Sequence, residues 1–212
     1  MSTTPLTLSF AGQQPPIALP QVPGTRGPVG VDMRGLNQSG FCSYDPGFAN
    51  TAGCQSAISW IDTENSVLLH RGYPVDQLAR QCDFLEVAYI MLNGDAPDEA
   101  SYQTFRETIT RHTLVHEQIA RMCSGFRRDS HPMALMCALV GALAAFYHDV
   151  LDVENPQHRA LAATRLLSKM PTIAAMSYKY TIEQPAAYPR NDLSYAGNFL
   201  QMLFAIPAEK YV

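Results

Sequence analysis

Two clusters contain the residue types best suited to chemistry. Arg111-His112-Thr113 is followed later by Arg165 and Lys169, which stand four residues apart and therefore share one face of a helix. These are four cationic or cationisable groups and a hydroxyl. Guanidinium forks and ammonium groups are the usual partners of phosphate oxygens. If the two segments pack together they form an anion pocket; if they do not, they are solvated faces making ordinary surface ion pairs. The second cluster is His112 and His116 in HTLVHE. On one helix this spacing turns both imidazoles to the same side, an arrangement that can hold zinc. The metalloprotease spelling needs a glutamate between the histidines, and here Glu117 falls outside the pair. With no third ligand in view, the expectation is no metal site and two partly buried histidines making polar contacts.

Other candidates carry less. Arg121, Arg127 and Arg128 precede Asp129 and are expected to pair with it or with Glu117. His131 beside Pro132 reads as a hydrogen-bonding residue of a first helical turn. None of the six histidines comes with a nucleophile and a third orienting group, so no catalytic residue is assigned. The glycine signatures of dinucleotide-binding domains, P-loops and α/β-hydrolases are missing. A net charge of −4 argues against a general nucleic-acid binder, which needs a basic field. The opening MSTTPLTLSF has neither a basic nor an apolar leader region, so no secretory signal is read there and five reduced cysteines fit a cytoplasmic protein.

The elements that must position these groups fall into two regions. Residues 1–74 read as β and turn. Leu6–Phe10 alternates, Phe41–Tyr44 is a short strand, and Ala57–Ile61 with Val67–His70 flanks a five-residue polar loop, Asp62–Ser66. Prolines and glycines between residues 12 and 30 forbid a long helix. Residues 75–212 read as helical. Asp83 caps a helix that Asn93-Gly94 stops, and Asp98 starts the next. The stretch 111–126 reads as helix, with a break near His116. Asn155-Pro156 starts a long helix with Leu161, Leu166 and Leu167 on its apolar side, and Pro171 should kink or break it near Lys169. Asp192 is expected to cap the last helix. The fold class is therefore mainly α with a small N-terminal β region.

Between these lies Pro132–Tyr147, sixteen residues without a charged side chain and with a cap expected at Asp129 or Ser130. A helix with apolar bulk on more than one face is buried in a bilayer, a domain centre or a subunit interface. It is short against the roughly 20 residues a span needs, so no membrane segment is expected. The residues alone support a self-associating helical module with a possible anion site.

Four spellings add to this. Phe41–Phe48 (FCSYDPGF), Leu69–Leu78 (LHRGYPVDQL), Phe126–Met133 (FRRDSHPM) and Tyr188–Tyr195 (YPRNDLSY) closely resemble citrate synthase, in particular the hexameric, NADH-regulated type of Gram-negative bacteria. The resemblance covers nearly the whole chain, residues 11–30 being the loosest part. It implies a citrate-synthase-like multi-helical large domain, incomplete here. It implies the condensation of acetyl-CoA with oxaloacetate to citrate and CoA, without a catalytic cofactor. The family's catalytic motifs, including a G-x-H-G-G-A-N-type segment, lie beyond the point where this sequence stops. No catalytic residue is therefore carried over, and the 212 residues are expected to be inactive alone. Arg111, His112, Thr113, Tyr147, Arg165 and Lys169 match positions lining the allosteric NADH site of the regulated type. Ala208 stands where well-known regulated enzymes have a reactive cysteine. The resemblance further implies a homodimer built through the Pro132–Tyr147 and Arg159–Tyr178 helices, within a hexamer. A 2-methylcitrate synthase, which uses propionyl-CoA, and a non-catalytic nucleotide-binding helical module are the alternative readings.

Overall fold

A computed structural model describes residues 4–12, 15–209 and 211; the first three residues of the segment read above for a leader lie outside them. The chain divides into two units, Met1–Val75 and Asp76–Val212.

The first unit consists of short antiparallel pairs. β1 (Leu6–Leu8) pairs with β2 (Ile17–Leu19), and β3 (Gln21–Val22) with β4 (Gly30–Val31). β5 (Ser59–Asp62), β6 (Val67–His70) and β7 (Tyr73–Pro74) form a three-stranded sheet. Asp62 lies opposite Val67, so the hairpin loop is Thr63–Ser66, one residue shorter than expected. Asp62 is the last strand residue because its carboxylate accepts the Glu64 and Asn65 amides, both at 3.1 Å, and so closes the turn from within the strand. The expected strand at Phe41–Tyr44 does not form. The next residues form a local knot instead: Asp45 accepts from the Ala49 and Asn50 amides and the Thr51 hydroxyl, and Tyr44 is 89% exposed.

The second unit is helical. α1 (Val75–Gln81) leads to α2 (Phe84–Asn93), which opens with a reciprocal capping box between Asp83 and Glu86. Gly94, at φ 100°, ends α2 in the left-handed conformation that glycine adopts without steric cost. Asp98 caps α3 (Glu99–Arg111). The expected helix over 111–126 is interrupted: α3 ends at Arg111, and α4 spans Glu117–Met122. The connecting residues leave the helix because their carbonyls have donors elsewhere. Lys169 binds the carbonyls of His112 and Leu114, and the Thr172 hydroxyl binds that of Thr113. The two histidines therefore share no helix face. His112 is the C-terminal cap of α3, while the His116 ring accepts the Gln118 amide and caps α4.

α5 (Pro132–Phe146) begins with the His131 ring accepting the Met133 amide. Asp129, the expected cap, is held instead by Arg127 at 2.9 and 2.7 Å. α5 buries Leu135, Leu139 and Leu143 along one stripe, at the i, i+4 spacing of a single helix face. Its other side, including Met133, Cys137, Gly141 and Ala145, is exposed and uncharged. α5 packs on α6 (Pro156–Thr181), and Ile119, Cys123, Leu139, Leu143, Ile173 and Met176 form the core between α4, α5 and α6.

α6 is capped by Asn155 and runs through Pro171 as one helix, so of the expected kink or break the break does not occur. Proline has no N–H to give the carbonyl four residues back, here that of Leu167. The Tyr195 hydroxyl of α7 (Tyr195–Phe204) supplies a replacement donor at 2.9 Å. Leu161 and Leu166, expected on an apolar side, are 37% and 40% exposed, and the buried part of α6 is its C-terminal half. Ser194 rather than Asp192 caps α7, its Oγ accepting the Gly197 amide at 3.1 Å while Asp192 pairs with Arg190. Lys179, 1% exposed, donates to the Ala205 carbonyl at the other end of α7 and to Gln184 Oε1. The architecture is mainly α with small sheets. Among the described residues no helix is long and apolar enough to cross a membrane.

Candidate anion site

The last turns of α5 and the middle of α6 bring three of the six nominated residues together. Tyr147 caps α5 at its C-terminus. Its ring lies 4.7 Å from Arg165 Cζ and 5.3 Å from Lys169 Nζ, so one aromatic ring serves two cations that follow each other one turn apart on α6. Arg165 is 19% exposed at its side chain and forms a two-pronged pair with Asp149, Nη1 to Oδ1 at 3.0 Å and Nη2 to Oδ2 at 3.2 Å. Asp149 sits in the single 3-10 turn, His148–Val150, that follows Tyr147.

Lys169 is 4% exposed. Its Nζ donates to the His112 carbonyl at 2.7 Å and the Leu114 carbonyl at 2.5 Å. Burial, and secondarily the charge of Arg165, pulls its pKa below the ordinary lysine value. Asp149 is shifted the opposite way from the usual burial effect: the Arg165 hydrogen bonds hold its carboxyl below the ordinary carboxylate range.

The other nominated residues take part differently. His112 and Thr113 meet α6 through backbone carbonyls, not side chains. The His112 ring is engaged with the Thr108 carbonyl at 2.7 Å, and the buried Thr113 hydroxyl donates to the Thr110 carbonyl. Arg111 is exposed on α3 and paired with Glu107 at 3.2 Å, one turn back. Sequence reasoning missed Asp149 and the Leu114 carbonyl. An acidic residue two positions after Tyr147 is a readable signal for the first; a backbone acceptor has no side-chain signature. Among the described residues no group of three or more histidine, cysteine or carboxylate side chains is placed to hold a metal ion. What the cluster offers is one aromatic ring with a buried ammonium and a partly exposed guanidinium over it, the guanidinium paired with one carboxylate.

Comparison with known proteins defines the wider class. The family model for the citrate synthase C-terminal domain matches residues 47–212. The chain thus belongs to the citrate synthase family, a family of acyltransferases. Its fold is similar to citrate synthase from Pyrobaculum aerophilum, at 28% identity and a TM-score of 0.69 over 74% of this chain and 41% of that one. It is also similar to citrate synthase from Thermotoga maritima, at 25% identity and a TM-score of 0.64 over 76% and 42%. The fold of the Thermoplasma acidophilum citrate synthase, solved with carboxymethyl coenzyme A and oxaloacetate, matches at 23% identity and a TM-score of 0.70 over 76% and 42%. The chain spans about two fifths of the length of each of these structures.

Proposed function

We propose that the chain is part of a citrate synthase that condenses acetyl-CoA with oxaloacetate and releases citrate and CoA in the tricarboxylic acid cycle. Membership of the family carries this reading. In it, residues 1–74 are a β and turn-rich region ahead of a helical part of the large domain, 75–212, and the protein works in the cytoplasm. Release of CoA thiol on mixing the protein that carries this chain with both substrates tests the reading. Turnover with propionyl-CoA in strong preference to acetyl-CoA would assign it to 2-methylcitrate synthesis instead.

We further propose that the enzyme is of the hexameric, NADH-inhibited type, with Arg111, His112, Thr113, Tyr147, Arg165 and Lys169 at the NADH site. The observation that supports this is the pairing of Arg165 and Lys169 over the single ring of Tyr147. Two cations and an aromatic face are what a dinucleotide's phosphates and ring need. Inhibition of citrate formation by NADH, lost in Arg165→Ala, is the expected result; inhibition of equal strength in the variant counts against the site. The uncharged outer side of α5 supports a homodimer through α5 and the Arg159–Tyr178 part of α6.

A further inference from the structure

We infer that Asp149 sets the ligand preference of the Arg165 site, favouring a phosphate ligand that also presents a vicinal diol, as a ribonucleotide does, over a bare polyphosphate. The inference rests on the nucleotide reading above and adds to it a residue that reading does not include. The Arg165 fork is already filled by the Asp149 carboxylate at 3.0 and 3.2 Å. An incoming polyphosphate is a multiple anion near neutral pH, with at most one hydroxyl left to donate. It meets the carboxylate as a like charge and must displace it to reach the guanidinium. A sugar diol meets the same carboxylate as a donor. Each carboxylate oxygen has acceptor capacity beyond the one bond it receives from Arg165, and the Asp149 side chain is 58% exposed. Two neighbouring hydroxyls can therefore bond to Asp149 while it stays paired, leaving the ligand's phosphates to the field of Arg165 and of the buried Lys169 behind the same ring. A carboxylate receiving ribose hydroxyls is an established way of selecting nucleotides.

The test substitutes Asp149→Asn in the protein that carries this chain and measures binding of NADH by its fluorescence and of pyrophosphate by calorimetry. Expected are opposite changes: NADH about tenfold weaker, for the lost charge-assisted bonds, and pyrophosphate severalfold tighter. A second measurement uses no variant: the unaltered protein binds ADP more tightly than 2′,3′-dideoxy-ADP. NADH binding that is unchanged or tightened in Asp149→Asn overturns the inference alone, as does equal binding of ADP and its dideoxy form. Failure of the unaltered protein to bind NADH overturns the inference together with the reading beneath it.

Discussion

Pro171 and Tyr195 form a coupled pair whose energetics follow from one carbonyl. Pro171 is buried in α6 and leaves the Leu167 carbonyl without its helical donor, and Tyr195 Oη fills that place at 2.9 Å. The Tyr195 ring is separately fixed by stacking on Phe84 of α2, with centroids 4.8 Å apart and planes 8° from parallel. Tyr195→Phe therefore keeps the stack and removes only the hydroxyl. One hydrogen bond lost with its acceptor left unpaired costs about 1–2 kcal/mol, or roughly 3–6 °C in melting temperature for a chain of this size. In a Pro171→Ala background the new N–H at position 171 serves Leu167, and the same change should cost about 0.5 kcal/mol or less, a coupling of about 1 kcal/mol. Urea unfolding of the four proteins, followed by far-ultraviolet circular dichroism, measures the cycle. Alkaline pH gives an independent readout. Burial pushes the Tyr195 phenol up to about 12 from its ordinary 10.0. Its contribution to stability is then complete below pH 10 and is lost as pH rises from 10 toward 12, so Tyr195→Phe should lose less over that interval. An equal cost of Tyr195→Phe in both backgrounds would refute the account of how α6 continues through its proline.

Lys179→Met removes the donor shared by Ala205 O and Gln184 Oε1; a loss of about 1–3 kcal/mol and faster amide exchange at the end of α7 are expected, measured by urea unfolding and hydrogen exchange. Gly141→Glu places a charge on the outer side of α5, where an added Cβ meets nothing within 4 Å; sedimentation should show a dimer lost without loss of melting temperature, and a persisting dimer argues against that interface. Asp149 is held below its ordinary value of 3.8 by Arg165, so the stability it contributes is present above that value and lost as pH falls through the lower folded one. Asp149→Asn should accordingly melt below the unaltered chain at neutral pH and coincide with it in strong acid.

Local chemistry was readable where a side chain acts on its own segment. Asp83, Gly94, Asp98, and Asn155 with Pro156 mark helix ends by rules that need only neighbouring residues, and the structure uses all of them. The readings that failed depend on partners far along the chain. Pro171 breaks a helix only if nothing replaces its missing donor, and the replacement comes from residue 195. The 111–126 stretch reads as helix until α6 takes the carbonyls of residues 112, 113 and 114. Asp192 has the right chemistry for a cap but is claimed by Arg190, so Ser194 takes the role.

The same competition shapes the anion site. Spacing put Arg165 and Lys169 on one face, and that face exists, but the two cations are not equivalent. Lys169 is 4% exposed and tied to two carbonyls of the 112–116 connection; it supplies a fixed positive field and holds that connection out of helix. Arg165 is nearer the surface, and the carboxylate it pairs with is one that a ligand can engage. A change at Lys169 therefore disturbs the fold and the field together, whereas a change at Arg165 acts on binding. Lys169→Ala should lower both melting temperature and NADH inhibition, while Arg165→Ala should lower inhibition with a smaller loss of melting temperature, comparable to that of Asp149→Asn, which breaks the same pair. Equal losses of stability in the two would mean that the Arg165–Asp149 pair is as structural as the buried ammonium, and the surface of the site would have to be sought elsewhere.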